Sequence, residues 1–298
     1  MTATEPTGEF DADAYLRRIG VDPEGVVEPD WEALSRLQAA HVQAVPFENL
    51  SIVGHPHRDD ADTVQDDGVV LDTTHLFEKV VERERGGYCF ELNGLFHSLL
   101  ADLGYDVDRV AARVLGSGGD DTPPANHHSN VVHLHRSFVV DVGTGTPQIR
   151  QPVPLDGTEV TDDAGVTWRV AESDREDATH ETQYREPHER DWTTRYVFDV
   201  EPRDLSYFAA TNDYLQSSPD STFARSAFVT IASPDGYRKL SANEHRLVTF
   251  HESDGSDAPH ARRGSRDRDV VVEKRTRERP VDPDDWDAVL AATYGIEL

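Results

Sequence analysis

Cys89 stands in the run Arg85-Gly86-Gly87-Tyr88-Cys89-Phe90-Glu91-Leu92-Asn93 and is the only cysteine of the 298-residue chain. A lone cysteine cannot close an intramolecular disulfide, and its plainest role is that of a small buried hydrophobe. The surroundings argue instead for a nucleophile. Gly86 and Gly87 let the backbone bend sharply just before it. Phe96, Leu99, Leu100 and Leu103 follow at helical spacing. The thiol then sits in the first turn of a helix, where unpaired N–H groups and the helix dipole favour the thiolate. A thiolate nucleophile needs a base, and the base needs an orienting partner. Both residue types occur together further on: His127 and His128, then Asp141 within Phe138-Val139-Val140-Asp141-Val142-Gly143. A carboxylate among apolar neighbours demands a polar partner, and a histidine across a hairpin would supply it. The expected order is Cys89, His128, Asp141, with the carboxylate fixing the imidazole tautomer. His128 is preferred to His127 because residues 128, 130, 132 and 134 share one face, with Val132 and Leu134 packing inward; His127 is the alternative. The chemistry of such a set is nucleophilic attack by a thiolate that an imidazole stabilises.

The elements that must hold these residues can be read from capping and periodicity. Asp11 or Asp13 caps a short helix carrying Tyr15, Leu16 and Ile19, stopped by Gly20. A second helix starts near Asp30, turns Trp31, Leu34, Leu37 and His41 to one side, and stops before Pro46. A third runs from Thr73, and the Cys89 helix ends near Gly104. The polar stretch 58–68 reads as a loop. Strands follow at 107–115, 128–134, 137–142, 167–170, 196–200, 227–231, 247–250 and 270–273, with 116–124 and 172–191 as loops. A capped helix closes the chain at 284–294. This order gives an α+β chain with segregated layers.

Three of these stretches resemble the arylamine N-acetyltransferases. The Cys89 run looks like that family's active-site signature. Val45-Pro46-Phe47-Glu48-Asn49-Leu50 resembles its element after the second helix, and Asp141-Val142-Gly143 after a histidine strand is similar to its third signature. The likeness runs from Phe10 to Tyr294-Gly295-Ile296. It implies an N-terminal helical bundle (1–106), a central β-barrel (107–207) and a C-terminal α/β lid (208–298) around a cysteine-protease-like core. It also implies a ping-pong acetyl transfer from acetyl-coenzyme A to an arylamine, arylhydrazine or related nitrogen nucleophile, with Cys89, His128 and Asp141 as the triad. Asn93 belongs to the signature and supports the site. Gly143 and Thr144 fall where the family meets its acceptor, although an aromatic residue is usual at Thr144. The same triad order also occurs in thiol hydrolases and transglutaminase-like acyltransferases, which form the alternative.

Glu48 and Arg85 are charged members of the two strongest motifs and are expected to pair beneath the site, where removing one would strand the other. Phe47 is the candidate aromatic wall of the acceptor pocket. A basic cluster, Arg262, Arg263, Arg266 and Arg268 followed by Lys274, Arg275, Arg277 and Arg279, is a candidate for attracting coenzyme A phosphates, or is neutralised locally by Asp267, Asp269, Glu273 and Glu278. Scattered histidines lack metal-ligand spacing, so no metal is expected.

With 57 acidic against 29 basic residues, the net charge is −28. Such a surface repels nucleic acid. Only Lys79, Lys239 and Lys274 are lysines, and abundant aspartate with depleted lysine resembles the proteins of halophilic archaea. No apolar run approaches the ~18 residues of a membrane span, and the start lacks a secretory pattern. One cysteine fits a reducing cytoplasm. No residue pattern specifies an oligomer.

Overall fold

The computed structural model describes residues 10–25, 28–58, 68–116, 122–253 and 271–298. Most of the acidic loop at 58–68, the centre of the 116–124 loop and the arginines at 262–268 lie outside them. The helices begin where the caps require. Asp11 starts α1 (Ala12–Arg18) by accepting from the Ala14 N–H at 2.9 Å. Asp30 does the same for α2 (Trp31–Ala44), which ends at Val45 ahead of Pro46. A two-residue strand β1 (Phe47–Glu48) and a single turn α3 (Leu50–Val53) follow. Helix α4 (Thr73–Phe77) runs on into a π turn at Glu78–Glu82. Helix α5 (Cys89–Asp102) is buried on every side from Cys89 to Phe96 and again at Leu99 and Leu100, and its last turn, Ala101–Asp102, reaches the surface. Leu16, Leu34, Leu37 and Leu76 of α1, α2 and α4 join its apolar side chains in one core, and its buried polar residues, Glu91 and Asn93, find partners there.

The middle of the chain is one antiparallel sheet. Its strands are β2 (Asp106–Arg113), β3 (His127–His133), β4 (Ser137–Val140), β5 (Val153–Pro154), β6 (Val160–Thr161), β7 (Thr167–Glu172), β8 (His180–Arg185) and β9 (Thr193–Pro202). They lie in the order β5-β4-β3-β2-β9-β8-β7-β6. The sheet curls until β5 meets β7, a nearly closed barrel around Val131, Val139, Trp168, Tyr196 and Phe198. Strand β3 is covered on both faces. His127, Ser129 and Val131 turn toward the barrel, while His128, Asn130 and Val132 turn toward α5.

The stretch 172–191, expected as a loop, contains β8. Only Thr182 of its six residues is buried, so the apolar alternation that marks a strand is missing. Polar and cationic contacts replace it: Arg169 binds Gln183, and Arg169 and Arg185 both stack on Trp192, at 4.2 and 4.6 Å from the ring centre.

The last part begins with α6 (Ala209–Ser217) and continues as β10 (Phe228–Ser233), β11 (Gly236–Ser241), β12 (Glu244–Ser253), β13 (Val271–Pro280) and α7 (Trp286–Tyr294). The strands form a second antiparallel sheet, β1-β10-β11-β12-β13, so the early residues Phe47–Glu48 supply its edge. Trp286, Leu290 and Tyr294 of α7 cover one face through Val229, Ile231 and Leu240. Val248 and Phe250 turn the other face to the barrel. The expected α+β architecture of helices, barrel and α/β lid is the one observed. No helix among the described residues is long and apolar enough to cross a membrane.

Candidate active site

The two strongest sequence motifs lie side by side in space. The Glu48 N–H donates to the Gly87 carbonyl at 2.9 Å, and the Gly87 N–H donates to the Pro46 carbonyl at 3.2 Å. A Cβ at Gly86 would collide with the Pro46 carbonyl, which is why the bend needs glycine there. The Tyr88 N–H, unpaired at the start of α5, donates to Glu91 at 2.9 Å. Cys89 therefore enters the first helical turn on a backbone held from two sides.

Asp141 follows β4 and is fully buried. Its Oδ2 lies 2.7 Å from His127 Nε2. Its Oδ1 accepts from Asn93 Nδ2 at 2.8 Å and from the Gly143 N–H at 2.9 Å. Burial alone would raise this carboxyl, but the charge and hydrogen bond of His127, with Asn93 and Gly143, hold it down at about 2. Asn93 is a hub. Its Nδ2 also donates to the His128 carbonyl at 2.5 Å, and its Oδ1 accepts from the Val142 N–H at 2.8 Å. Gln38 of α2 donates to the carbonyls of Asp141 and Ile149, at 3.2 and 3.0 Å. Gly143 is pressed against the nucleophile, since a Cβ there would stand 2.7 Å from Cys89 Cα.

The structure brings His127, not the preferred His128, to Asp141. The preference assumed that only one face of β3 is buried. Both are, so alternation does not discriminate between them. The His127 ring lies 4.7 Å from that of Tyr196 on the barrel side. His128 faces α5 and stacks on Phe208 at 4.8 Å, and neither ring nitrogen has a partner. Burial drives the His128 pKa far down, so it is a neutral aromatic filler.

Cys89 is 2% exposed. Its Sγ lies 3.9 Å from the Asn126 carbonyl, against the peptide that leads into His127. Burial pushes the thiol well up, while the N–H groups of His128 and Phe90 pull it partly back. This reverses the direction expected from the helix terminus alone: desolvation outweighs the dipole.

Glu48 and Arg85 do pair, at 3.5 Å, within a larger buried set. Lys79, 8% exposed, lies 3.8 Å from Glu48 and 2.6 Å from Glu91. For Glu48, burial is more than offset by Lys79, Arg85 and the Leu50 N–H, and its pKa falls; for Glu91, burial outweighs Lys79 and its pKa rises. Lys79 was missed in the motif reading, although one of only three lysines lying on an apolar helix face is a signal. Phe47 stacks on Phe228 at 5.8 Å and meets Phe223 edge-on at 6.2 Å. The same ring borders Gly145. Thr144 is buried and spends its hydroxyl on the Ile149 N–H at 3.3 Å. Among the described residues, the side chains able to share a metal are Glu186, His188 and Glu189, with Glu186 already bound to Lys274; none belongs to this site.

Residues 30–298 match the N-acetyltransferase family model. An arylamine N-acetyltransferase of Mycolicibacterium smegmatis is 32% identical over 255 residues, covering 83% of this chain and 85% of its own. Among solved structures, the arylamine N-acetyltransferase of Mycobacterium abscessus superposes with a TM-score of 0.76 at 29% identity, covering 98% of this chain and 94% of that one. The Mycobacterium marinum enzyme, solved in complex with CoA, gives 0.71 at 27% identity, covering 96% and 93%.

Proposed function

The chain belongs to the arylamine N-acetyltransferase family, and we propose that it moves an acetyl group from acetyl-coenzyme A to an arylamine through an acetyl-Cys89 thioester, with His127 as base and Asp141 as its orienting partner. It is an acyltransferase. The observation that carries the residue assignment is the sulfur lying against the His127 peptide while His127 Nε2 is bound to Asp141. With Nε2 engaged, Nδ1 is the ring atom that takes the Cys89 proton. Sulfur then attacks the thioester carbonyl, the bond from carbonyl carbon to coenzyme A sulfur breaks, and the imidazolium returns the proton to the departing thiolate. In the second half the amine attacks acetyl-Cys89, gives a proton to His127, and Cys89 leaves and recovers it. Asp141 stays ionised throughout and steadies the imidazolium.

Phe47, Phe223 and Phe228 form the aromatic wall beside Gly145 against which an aryl ring would lie. Gly143 lets the segment after Asp141 pack directly on the Cys89 backbone, where a side chain would collide. A division at 106 and 207 into helical, barrel and lid parts is supported by the three layers, with β1 crossing from the first part into the last sheet. The acidic, lysine-poor surface suits a cytoplasm of high ionic strength, and a catalytic thiol suits a reducing one.

Intact-mass spectrometry after mixing with acetyl-coenzyme A tests the scheme. One acetyl adduct is expected on the wild type and none on Cys89→Ala. An adduct that survives that substitution would overturn it.

A further inference from the structure

The basic run near the C-terminus does not act as a block. Lys274 binds Glu186 at 2.5 Å and Arg275 binds Glu273 at 3.5 Å. Arg277 and Arg279 remain. Strand register sets them beside Leu247 and His245 of β12, and those beside Arg238 and Leu240 of β11. All six lie on the face that carries α7, opposite to Phe47 and the barrel. Arg238, Arg277, Arg279, His245, Leu247 and Thr293 line a groove of about 290 Å³, at the lower edge of small-molecule sites.

Three features mark it as a site. Among the described residues, Arg238, Arg277 and Arg279 form no ion pair, although the chain has 57 carboxylates. The acids next to them in the register are engaged elsewhere: Glu244 and Glu278 hold Arg246 on the opposite face, at 3.0 and 2.9 Å, and Glu273 of the same face pairs with Arg275. His245, which lines the groove, has an unpartnered ring atom, Nε2, and behind its ring, 6.1 Å away, lies Tyr294, whose buried hydroxyl also lacks a partner among the described residues. Tyr294 is 2% exposed and close enough to Arg238 to feel its charge. Clustered like charges destabilise a sheet face unless a counter-charge joins them.

We propose that this groove binds a small polyanion bearing phosphate groups, at a site separate from Cys89. Planar guanidinium forks match phosphate oxygens in pairs. Three arginines call for a multivalent anion, which one carboxylate is not. The net charge of −28 disfavours a long polyanion such as a nucleic acid, which would lie over more of the surface than the groove. The site does not depend on acyl transfer.

Calorimetric titration with pyrophosphate tests it, using the full chain at the lowest KCl concentration at which it is folded. The wild type should bind saturably. Arg238→Gln/Arg277→Gln should lose at least tenfold in affinity, and so should the exposed Arg279→Gln alone, which guards against misfolding of the pair. Arg246→Gln, on the opposite face, should bind as the wild type does. No saturable binding by the wild type, or equal affinity in the variants, would overturn the proposal. The acetyl-coenzyme A KM separates the two sources of phosphate. An unchanged KM in the double variant assigns the groove to a free polyphosphate. A tenfold rise, with coenzyme A displacing pyrophosphate, would put the groove on the donor's path and overturn its separateness.

Discussion

His127 and His128 are chain neighbours with opposite electrostatic surroundings. One ring is tied to a carboxylate, and the other is sealed against Phe208 with no polar partner. His127→Ala should lower the rate of Cys89 acetylation about a thousandfold, the scale of a lost general base. His128→Phe replaces a neutral ring by an apolar one and should stay within about tenfold. Stopped-flow acetylation of the two variants decides between them, and the reverse ranking would return the triad to His128. Because burial holds the Cys89 thiol up, its ionisation depends on His127. Alkylation by iodoacetamide should therefore need markedly higher pH in His127→Ala than in the wild type. Identical profiles would mean that the sulfur ionises unaided. Cys89, Asp141, Asn93, Glu48 and Arg85 were legible in sequence, because a lone thiol after two glycines and an acid inside an apolar run have few alternatives. The choice of histidine was not, since it depends on which face of a doubly covered strand meets the carboxylate.

Asn93 of α5 reaches across to the hairpin β3–β4, where its side chain binds the His128 carbonyl, Asp141 and the Val142 N–H just beyond β4. Asn93→Ala would take the side-chain partner from the Val142 N–H and the His128 carbonyl in a buried site, and would leave Asp141 Oδ1 with the Gly143 N–H alone. A loss of about 2–4 kcal/mol in urea unfolding is expected, together with reduced acetylation as Asp141 loosens. Unchanged stability would show that the hub is dispensable. At this scale the sequence was readable where a cap or an apolar period existed: Asp11, Asp30 and the leucines of α5 mark their helices. It failed for β8, whose side chains satisfy one another instead of entering the core, and for β1, whose two residues carry no period.

Over the whole molecule two charge effects should be measurable. His41 is buried and His97 half-buried, and both are neutral, held down to about 3 and about 4 by burial first and then by Arg18 and Arg109, while His128 lies well below its ordinary value. The unfolded chain takes up protons at these rings below about 6.5 while the fold does not. Their stability contribution is thus intact above that pH and lost as pH falls toward 4, by up to about 1.4 kcal/mol per pH unit for each histidine. Thermal melts from pH 7 to 4.5 should show this decline, and a flat profile would contradict the burial of these rings. The net charge of −28 gives the second effect. Raising KCl from about 0.1 M to molar levels shortens the screening length to ~3 Å, and the melting temperature should climb by more than about 10 °C. Equal melting at both salts would remove the halophilic reading.

The ribbon Pro46–Glu48 has consequences beyond its length. One of its edges bonds to β10 and the other to Gly87, two residues before the nucleophile. The outermost strand of the lid is therefore also a tether for the turn that presents the sulfur. Any tilt of that sheet tugs on the catalytic turn through main chain alone, as a hinge pin moves with both its leaves, and the mouth of the cleft and the reacting atom are geared to each other.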